Sequence, residues 1–344
     1  MKAVVFQGPG QVAVQDRPKP QPQPGEVLIH VAACGICGTD AHIVEGSYEA
    51  TPGVILGHEF AGTIVALGEG IEDFAVGDAV AVDPNITCGT CSFCQRGEKQ
   101  LCQHLKALGV TRDGGFAEWC TVPQTQLYRL PHEMPTWQGA LAEPVACCLH
   151  GLDRLGLKQG ETVLLLGGGA IGMLMLQLLQ HAGATQIIVS EPNATRRERA
   201  LRLGATAVLD PTAPDWESQV ARWFPEGPDR IVETAGAGPT LQQAIQVARR
   251  GATILYFGVA RPELEVPIRP YAIYQKELTL TGSFVNPYTH GRAVSLLAAS
   301  KLDCDTLVTH RFPIKAFATA LATQKEAEAI KILILPHTIE ENSP

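Results

Sequence analysis

Residues Glu161 to Gly172 read ETVLLLGGGAIG, and this stretch decides the fold. Its first half is an apolar run without polar alternation, the pattern of a strand buried on both faces. Three glycines stop the strand, and Ile171 to Gln180 then reads as a buried helix. Gly167, Gly169 and Gly172, with Ala170 and Ile171 between them, fit G-x-G-x-x-G. Between a strand and a helix this spacing predicts a dinucleotide-binding turn. Gly167 permits the tight turn, Gly169 lets backbone N–H groups approach a pyrophosphate, and Gly172 lets helix and strand pack closely. The start of the helix favours the phosphate charge.

Glu191 lies 19 residues beyond Gly172, at the end of the next predicted strand, Gln186 to Glu191. A carboxylate there accepts hydrogen bonds from ribose hydroxyls and repels a 2′-phosphate, so NAD(H) is the expected cofactor rather than NADP(H). Arg196 and Arg197 bear on the same choice. They are either a solvated helix face or, against that expectation, cations for a 2′-phosphate.

Outward from the glycine turn, strands and helices alternate. The helix Ala194 to Leu203 is followed by the strands Ala205 to Asp210, Asp229 to Thr234, Ala252 to Gly258 and Leu278 to Phe284. The expected fold class is α/β, with a doubly wound parallel sheet over 147–284. The preceding 146 residues differ. Short β-type runs (Lys2 to Phe6, Glu26 to Ala33, Gly62 to Leu67, Ala79 to Val82, Phe116 to Val122) are separated by glycine and proline turns, which predicts a β-barrel-like domain. After Val285 two short helical stretches and the strand Ile330 to Leu335 remain, and they are expected to rejoin the first domain.

The formal net charge of -8 argues against a nucleic-acid footprint, and no apolar run approaches a membrane span. Met1 to Val14 alternates like a strand rather than a cleavable leader, so a cytoplasmic location is expected. In a reducing compartment, clustered cysteines read as metal ligands rather than disulfides. Cys88, Cys91, Cys94 and Cys102 form C-x2-C-x2-C-x7-C, which suits a closed, structural Zn2+ site. A second C-x-x-C, Cys34 to Cys37, is open to a redox reading. With Gly57-His58-Glu59 and Ala142-Glu143-Pro144 it also makes a plausible open zinc site, which spacing alone does not establish.

Taken together, CGICGTD from Cys34, GHEFAG from Gly57, the four-cysteine loop, DGGFAEW from Asp113, AEP from Ala142 and the glycine turn span nearly the whole chain. The sequence resembles the zinc-dependent alcohol dehydrogenases of the medium-chain dehydrogenase/reductase superfamily. The Glu-Pro form at Glu143 most resembles the sorbitol, butanediol and threonine dehydrogenase branches. The resemblance implies a GroES-like catalytic domain at 1–146 and 285–344 with two zinc sites, and a Rossmann domain at 147–284. It implies Cys37, His58 and Glu143 as ligands of a catalytic zinc. Glu59 is either an alternate ligand or an adjacent acid, and Asp40 orients His58. Thr39 and His42 are implied as a proton relay, since an imidazole titrates near neutral pH. Cys34 is expected to pack internally.

The implied activity is hydride transfer from a polyol or other secondary alcohol to NAD+, giving the ketone. A homotetramer or homodimer is also implied. Alternatives within the class are a polyol phosphate, with Arg112 and Arg269 as candidate cations, and L-threonine. A non-catalytic binding protein of this fold is the contrasting class, but zinc-free relatives typically lack the Cys/His/Glu set. Tyr48, Phe116 and Phe284 are candidate pocket walls. His150, His290 and His310, and the turn at Asp78, are expected to be structural.

Overall fold

The computed structural model describes residues 1–337. The chain divides into two compact units, one of Met1–Ala146 with the chain from Val285 on, the other Cys147–Phe284. Residues 338–344 of the first expected domain lie outside the described residues. Among those described, no helix is long and apolar enough to cross a membrane.

The second unit is built on six strands in the order Ala207–Leu209, Gln186–Ser190, Thr162–Leu166, Arg230–Glu233, Thr253–Tyr256 and Thr279–Gly282. All neighbours run parallel. This is the doubly wound sheet expected from the glycine turn. The order reverses direction at Thr162–Leu166, which places that turn at the carboxyl edge where such sheets bind ligands. Leu164, Leu166, Ile188, Ile231 and Ile254 pack with Trp216 and Phe224 into one core. Each such side chain contributes about 1.5–3 kcal/mol by leaving water. Arg230 is also buried, and its guanidinium meets both oxygens of Glu161 at 2.9 Å. It donates further to Thr253 Oγ1 and the Gly156 carbonyl.

The first unit centres on the strand Glu26–Gly35, antiparallel to Glu59–Leu67, to Trp119–Pro123 and to Lys331–Leu335. Ala79–Val82 and Leu127–Arg129 extend the sheet on one side, and Val308–Pro313 extends it on the other. Irregular register between Leu28 and Ile29, and again between Val31 and Ala33, curves the central pair. Ile29, Val31, Phe60, Ile64, Val80 and Ile332 fill the core beneath it.

The strand Val308–Pro313 has no counterpart in the sequence reading, because its polar THR centre lacks an apolar pattern. Phe116, expected as a pocket wall, is instead fully buried against Phe317, with ring centroids 5.1 Å apart. Asp78 accepts from the Ala75 N–H and from Arg129, a turn contact.

Candidate metal centres and cofactor turn

Cys37 is the N-cap of the helix Gly38–Glu45. Asp40 Oδ2 accepts the Cys37 N–H at 2.8 Å, which fixes the residue at the mouth of the helix. Gly57, at φ +94°, turns the chain immediately before His58 and Glu59. A Cβ on Gly57 would lie 2.7 Å from both Cys34 Sγ and Phe116, so only glycine makes this approach. Gly35 faces Glu59 across the sheet register, and a Cβ there would strike the Glu59 carboxylate at 2.1 Å.

These constraints bring one donor atom each from Cys37, His58 and Glu59 within 4.8 Å of one another. His58 and Glu59 are 8% and 1% exposed. Burial alone would depress the His58 pKa, but the Cys37 thiolate and the Asp40 and Glu143 carboxylates outweigh it and raise it well above the usual value. Burial raises the Asp40 carboxyl, opposed by His58 and the Cys37 N–H. Asp40 Oδ1 sits 3.7 Å from His58 Nδ1, an ionic contact rather than a hydrogen bond.

Glu143 is the second residue of the helix Ala142–Leu155 and is 8% exposed. It acts electrostatically on His58 without joining the tight group of three. Thr39 Oγ1 is 3.6 Å from Cys37 Sγ, and His42 Nδ1 is 3.1 Å from Ser47 Oγ. Cys34 is fully buried.

Lys331 was missed in the sequence. It is 4% exposed, forms an ion pair with Glu59 and donates to the Ile36 carbonyl at 3.0 Å. Its only sequence signal is a lysine opening an otherwise apolar strand. Thiolate, imidazole and carboxylate together make a donor set suited to Zn2+. Asp40 Oδ1 and His58 Nδ1 are buried with no hydrogen-bond partner and face each other across 3.7 Å, while Glu59 Oε2 meets the Lys331 ammonium.

Cys88, Cys91, Cys94 and Cys102 form a second cluster. Cys102 Sγ lies 3.6 Å from Cys88 Sγ and 4.0 Å from Cys91 Sγ. A tetrahedron with Zn–S near 2.3 Å has edges of about 3.8 Å, so the thiols fit one ion. Backbone N–H groups of Thr90 and Cys91 pull the Cys88 thiol down to about 5. Further N–H groups, from Cys88 and His104, point at Cys102 Sγ.

At the glycine turn, Gly167 has φ +106° and Gly169 caps the helix Ala170–His181. A Cβ on Gly172 would lie 2.1 Å from the Gly167 carbonyl, whereas Gly169 faces open space. Glu191 is 5% exposed and accepts the N–H groups of Gly168 at 2.7 Å and Asn193 at 2.9 Å. Arg197 donates to the Glu191 and Pro192 carbonyls and pairs with Asp210, while the Arg196 N–H meets the Asn193 side chain.

A parallel Rossmann sheet with a glycine turn in one unit, and two cysteine-containing groups able to hold a metal in the other, define a zinc-binding dehydrogenase. Known proteins agree. The family description "Alcohol dehydrogenase GroES-like domain" matches residues 23–132, and "Zinc-binding dehydrogenase" matches residues 170–299. D-arabinitol dehydrogenase 1 of Uromyces fabae is 34% identical, covering 98% of this chain and 97% of its own. Sorbitol dehydrogenase of Halalkalibacterium halodurans is 36% identical, covering 98% and 99%. A Sinorhizobium meliloti protein solved bound to NADP superposes with TM-score 0.95 at 41% identity, over 97% of this chain and 99% of that one. The chain belongs to the zinc-binding alcohol and polyol dehydrogenases of the medium-chain superfamily, NAD(P)-dependent enzymes that act on alcohols.

Proposed function

We propose that this protein oxidises a polyol or other secondary alcohol to the ketone with NAD+. The observation that carries the reading is the cluster of half-buried Cys37 with buried His58 and Glu59, the Thr39 hydroxyl beside it. Cys37, His58 and Glu143 would hold the catalytic zinc, with Glu59 as the adjacent acid, and the four cysteines the structural one. Bound there, zinc would supply Lewis acidity towards a hydroxyl and the nicotinamide would supply the hydride acceptor.

The chain's own residues do the rest. Thr39 would take the substrate proton and, by way of a nicotinamide-ribose hydroxyl, His42, which lies 3.1 Å from Ser47 Oγ, would deliver it to solvent. Gly167, Gly169, Ala170, Ile171 and Gly172 would present backbone N–H groups and a helix start to the pyrophosphate. Glu191 would take the ribose hydroxyls. NAD is favoured over NADP because Arg197 is already committed to Glu191, Pro192 and Asp210. Of the two cations considered for a phosphorylated substrate, Arg112 is paired with Glu26 at 2.7 Å, while Arg269 is exposed at the start of the helix Pro270–Lys276.

The test is NADH formation across sorbitol, xylitol, arabitol, 2,3-butanediol, threonine, inositols and polyol phosphates. Unphosphorylated polyols or diols are expected to lead. A clear preference for threonine or a phosphorylated polyol would overturn the substrate class, and no turnover with any alcohol would overturn the activity.

A further inference from the structure

Glu233 is wholly buried in the second unit, and none of the roles above uses it. It ends the strand Arg230–Glu233, level with Leu166 on one side and Tyr256 on the other. One oxygen does most of its bonding. Oε1 accepts the N–H groups of Ala235 and Gly236 at 2.9 Å and the Thr240 hydroxyl at 2.7 Å. The chain leaving the strand is thereby folded back over the carboxyl and tied to the helix Gly238–Val247. The Glu233 carbonyl also accepts from Phe257 and Gly258, both at 2.9 Å, which ties in the loop after the next strand, Thr253–Tyr256. The two loops press together. A Cβ on Gly258 would lie 2.2 Å from the Gly236 nitrogen and 2.9 Å from Glu233 Oε2. One on Gly236, at φ +64°, would lie 2.7 Å from the Val259 carbonyl oxygen. Thr234 joins the same assembly to the glycine turn, since its hydroxyl donates to the Leu166 and Gly167 carbonyls at 3.0 and 3.2 Å.

The strand order says what these loops face. The glycine turn follows Thr162–Leu166, and Glu191 follows the neighbouring strand on one side, whereas Arg230–Glu233 and Thr253–Tyr256 lie on the other. A dinucleotide lies across the carboxyl edge of such a sheet with its pyrophosphate at the turn. With the adenosine ribose at Glu191, the other half runs towards the loops 234–237 and 257–259. Ala235 and Val259 are exposed there, so the loops present a free surface and depend on Glu233 for their shape. Burial raises the Glu233 carboxyl, against the pull of its donors. A neutral carboxyl still accepts through its carbonyl oxygen, as an amide does. The accepting oxygen is therefore the feature the loops need, rather than a charge.

We propose that Glu233 is a positioning residue for the cofactor: it holds the loops 234–237 and 257–259 in the shape that receives the nicotinamide half, while the glycine turn and Glu191 hold the adenosine half without it. The proposal rests on the NAD reading of the second unit.

The test compares binding of NADH and of ADP to the full-length chain by titration calorimetry. ADP carries the adenosine half and two phosphates but nothing beyond them. Glu233→Met keeps the volume and loses the acceptor, and water can reach the freed N–H of exposed Ala235. It should weaken NADH by roughly tenfold, the worth of one hydrogen bond, and leave ADP within about twofold. Glu233→Gln keeps an accepting oxygen and should bind both ligands as the wild type does. Thr240→Val removes a single donor at a half-buried helix position and should weaken NADH by a smaller factor, again sparing ADP. That variant decides the matter if Glu233→Met does not fold, and unchanged NADH binding in it would then overturn the proposal. Equal weakening of NADH and ADP in Glu233→Met would make Glu233 a support of the whole unit and overturn the proposal. Unchanged NADH binding in that variant, or a Glu233→Gln protein as weak for NADH as Glu233→Met, would do the same. A wild-type chain that binds neither ligand would overturn the NAD reading itself.

Discussion

Replacing Glu191 with alanine isolates the residue that would choose between the two nicotinamide cofactors. The carboxylate has about four acceptor sites. Gly168 and Asn193 N–H groups occupy two, at 2.7 and 2.9 Å, leaving two for ribose hydroxyls. Hydrogen bonds to a charged acceptor are worth about 1.5–3 kcal/mol. A 2′-phosphate about 5 Å away would meet repulsion of about 3 kcal/mol per unit charge at an effective dielectric of 20, and roughly half that at a solvated ribose. The alanine variant should lose the first term for NAD and relieve the second for NADP. Together these shift the ratio of kcat/KM values by about 3–4 kcal/mol, or roughly a hundred- to a thousandfold towards NADP. Damage to the glycine turn weakens both cofactors and largely cancels in the ratio. Steady-state kinetics with each cofactor, at one fixed alcohol concentration, measures it. A ratio within threefold of wild type would refute the assignment, whatever the absolute rates.

Cys37→Ala should lower bound zinc from two ions per chain to one and abolish turnover while the circular dichroism spectrum persists; retained activity would remove Cys37 from the site. Arg230→Met strands Glu161 half-buried and should cost about 3 kcal/mol in urea unfolding, partly recovered by adding Glu161→Gln; a change within ~0.5 kcal/mol would show the pair to be solvated. Burial raises Asp83 to about 6, opposed by hydrogen bonds from Asn85 and Asn286. With an unfolded value near 3.9, the native state then binds more protons between about pH 4 and 6, so this residue's contribution to stability falls as pH rises through that window. Asp83→Asn should therefore gain about 1–3 kcal/mol over wild type at pH 8 and little at pH 4; equal differences at both pH values would contradict the shift.

The parts legible in the sequence share one property, that their information is local. The glycine turn, its flanking strand and helix, and the four cysteines within fifteen residues each sit inside one supersecondary unit. The catalytic cluster was legible only in pieces. Cys37 and Asp40 share a helix turn and His58 and Glu59 are adjacent, but joining them needed the family resemblance. Lys331 was invisible, because its partner Glu59 lies on a strand from the other end of the chain and a lone lysine predicts a surface. Phe116 misled for the opposite reason: an aromatic in a glycine-rich loop suggests a wall, yet Gly57 and Gly115 let that loop press into the core. Glu143 remains placed by resemblance, since the tight group closes on Glu59 instead.

The bond from Lys331 to the Ile36 carbonyl spans 295 residues of chain. During synthesis the strand Glu26–Gly35 and the Cys37 and His58 donors emerge long before Lys331. The unit Cys147–Phe284 is one continuous segment and has its own core, so it can fold while the first unit waits. Closing so long a loop is slow, and until it closes Glu59 lacks its ion-pair partner. Until then Cys37, His58 and Glu59 stand without the buried cation that accompanies them in the finished fold. The order of synthesis thus sets when the buried charges of Glu59 and Lys331 can first meet.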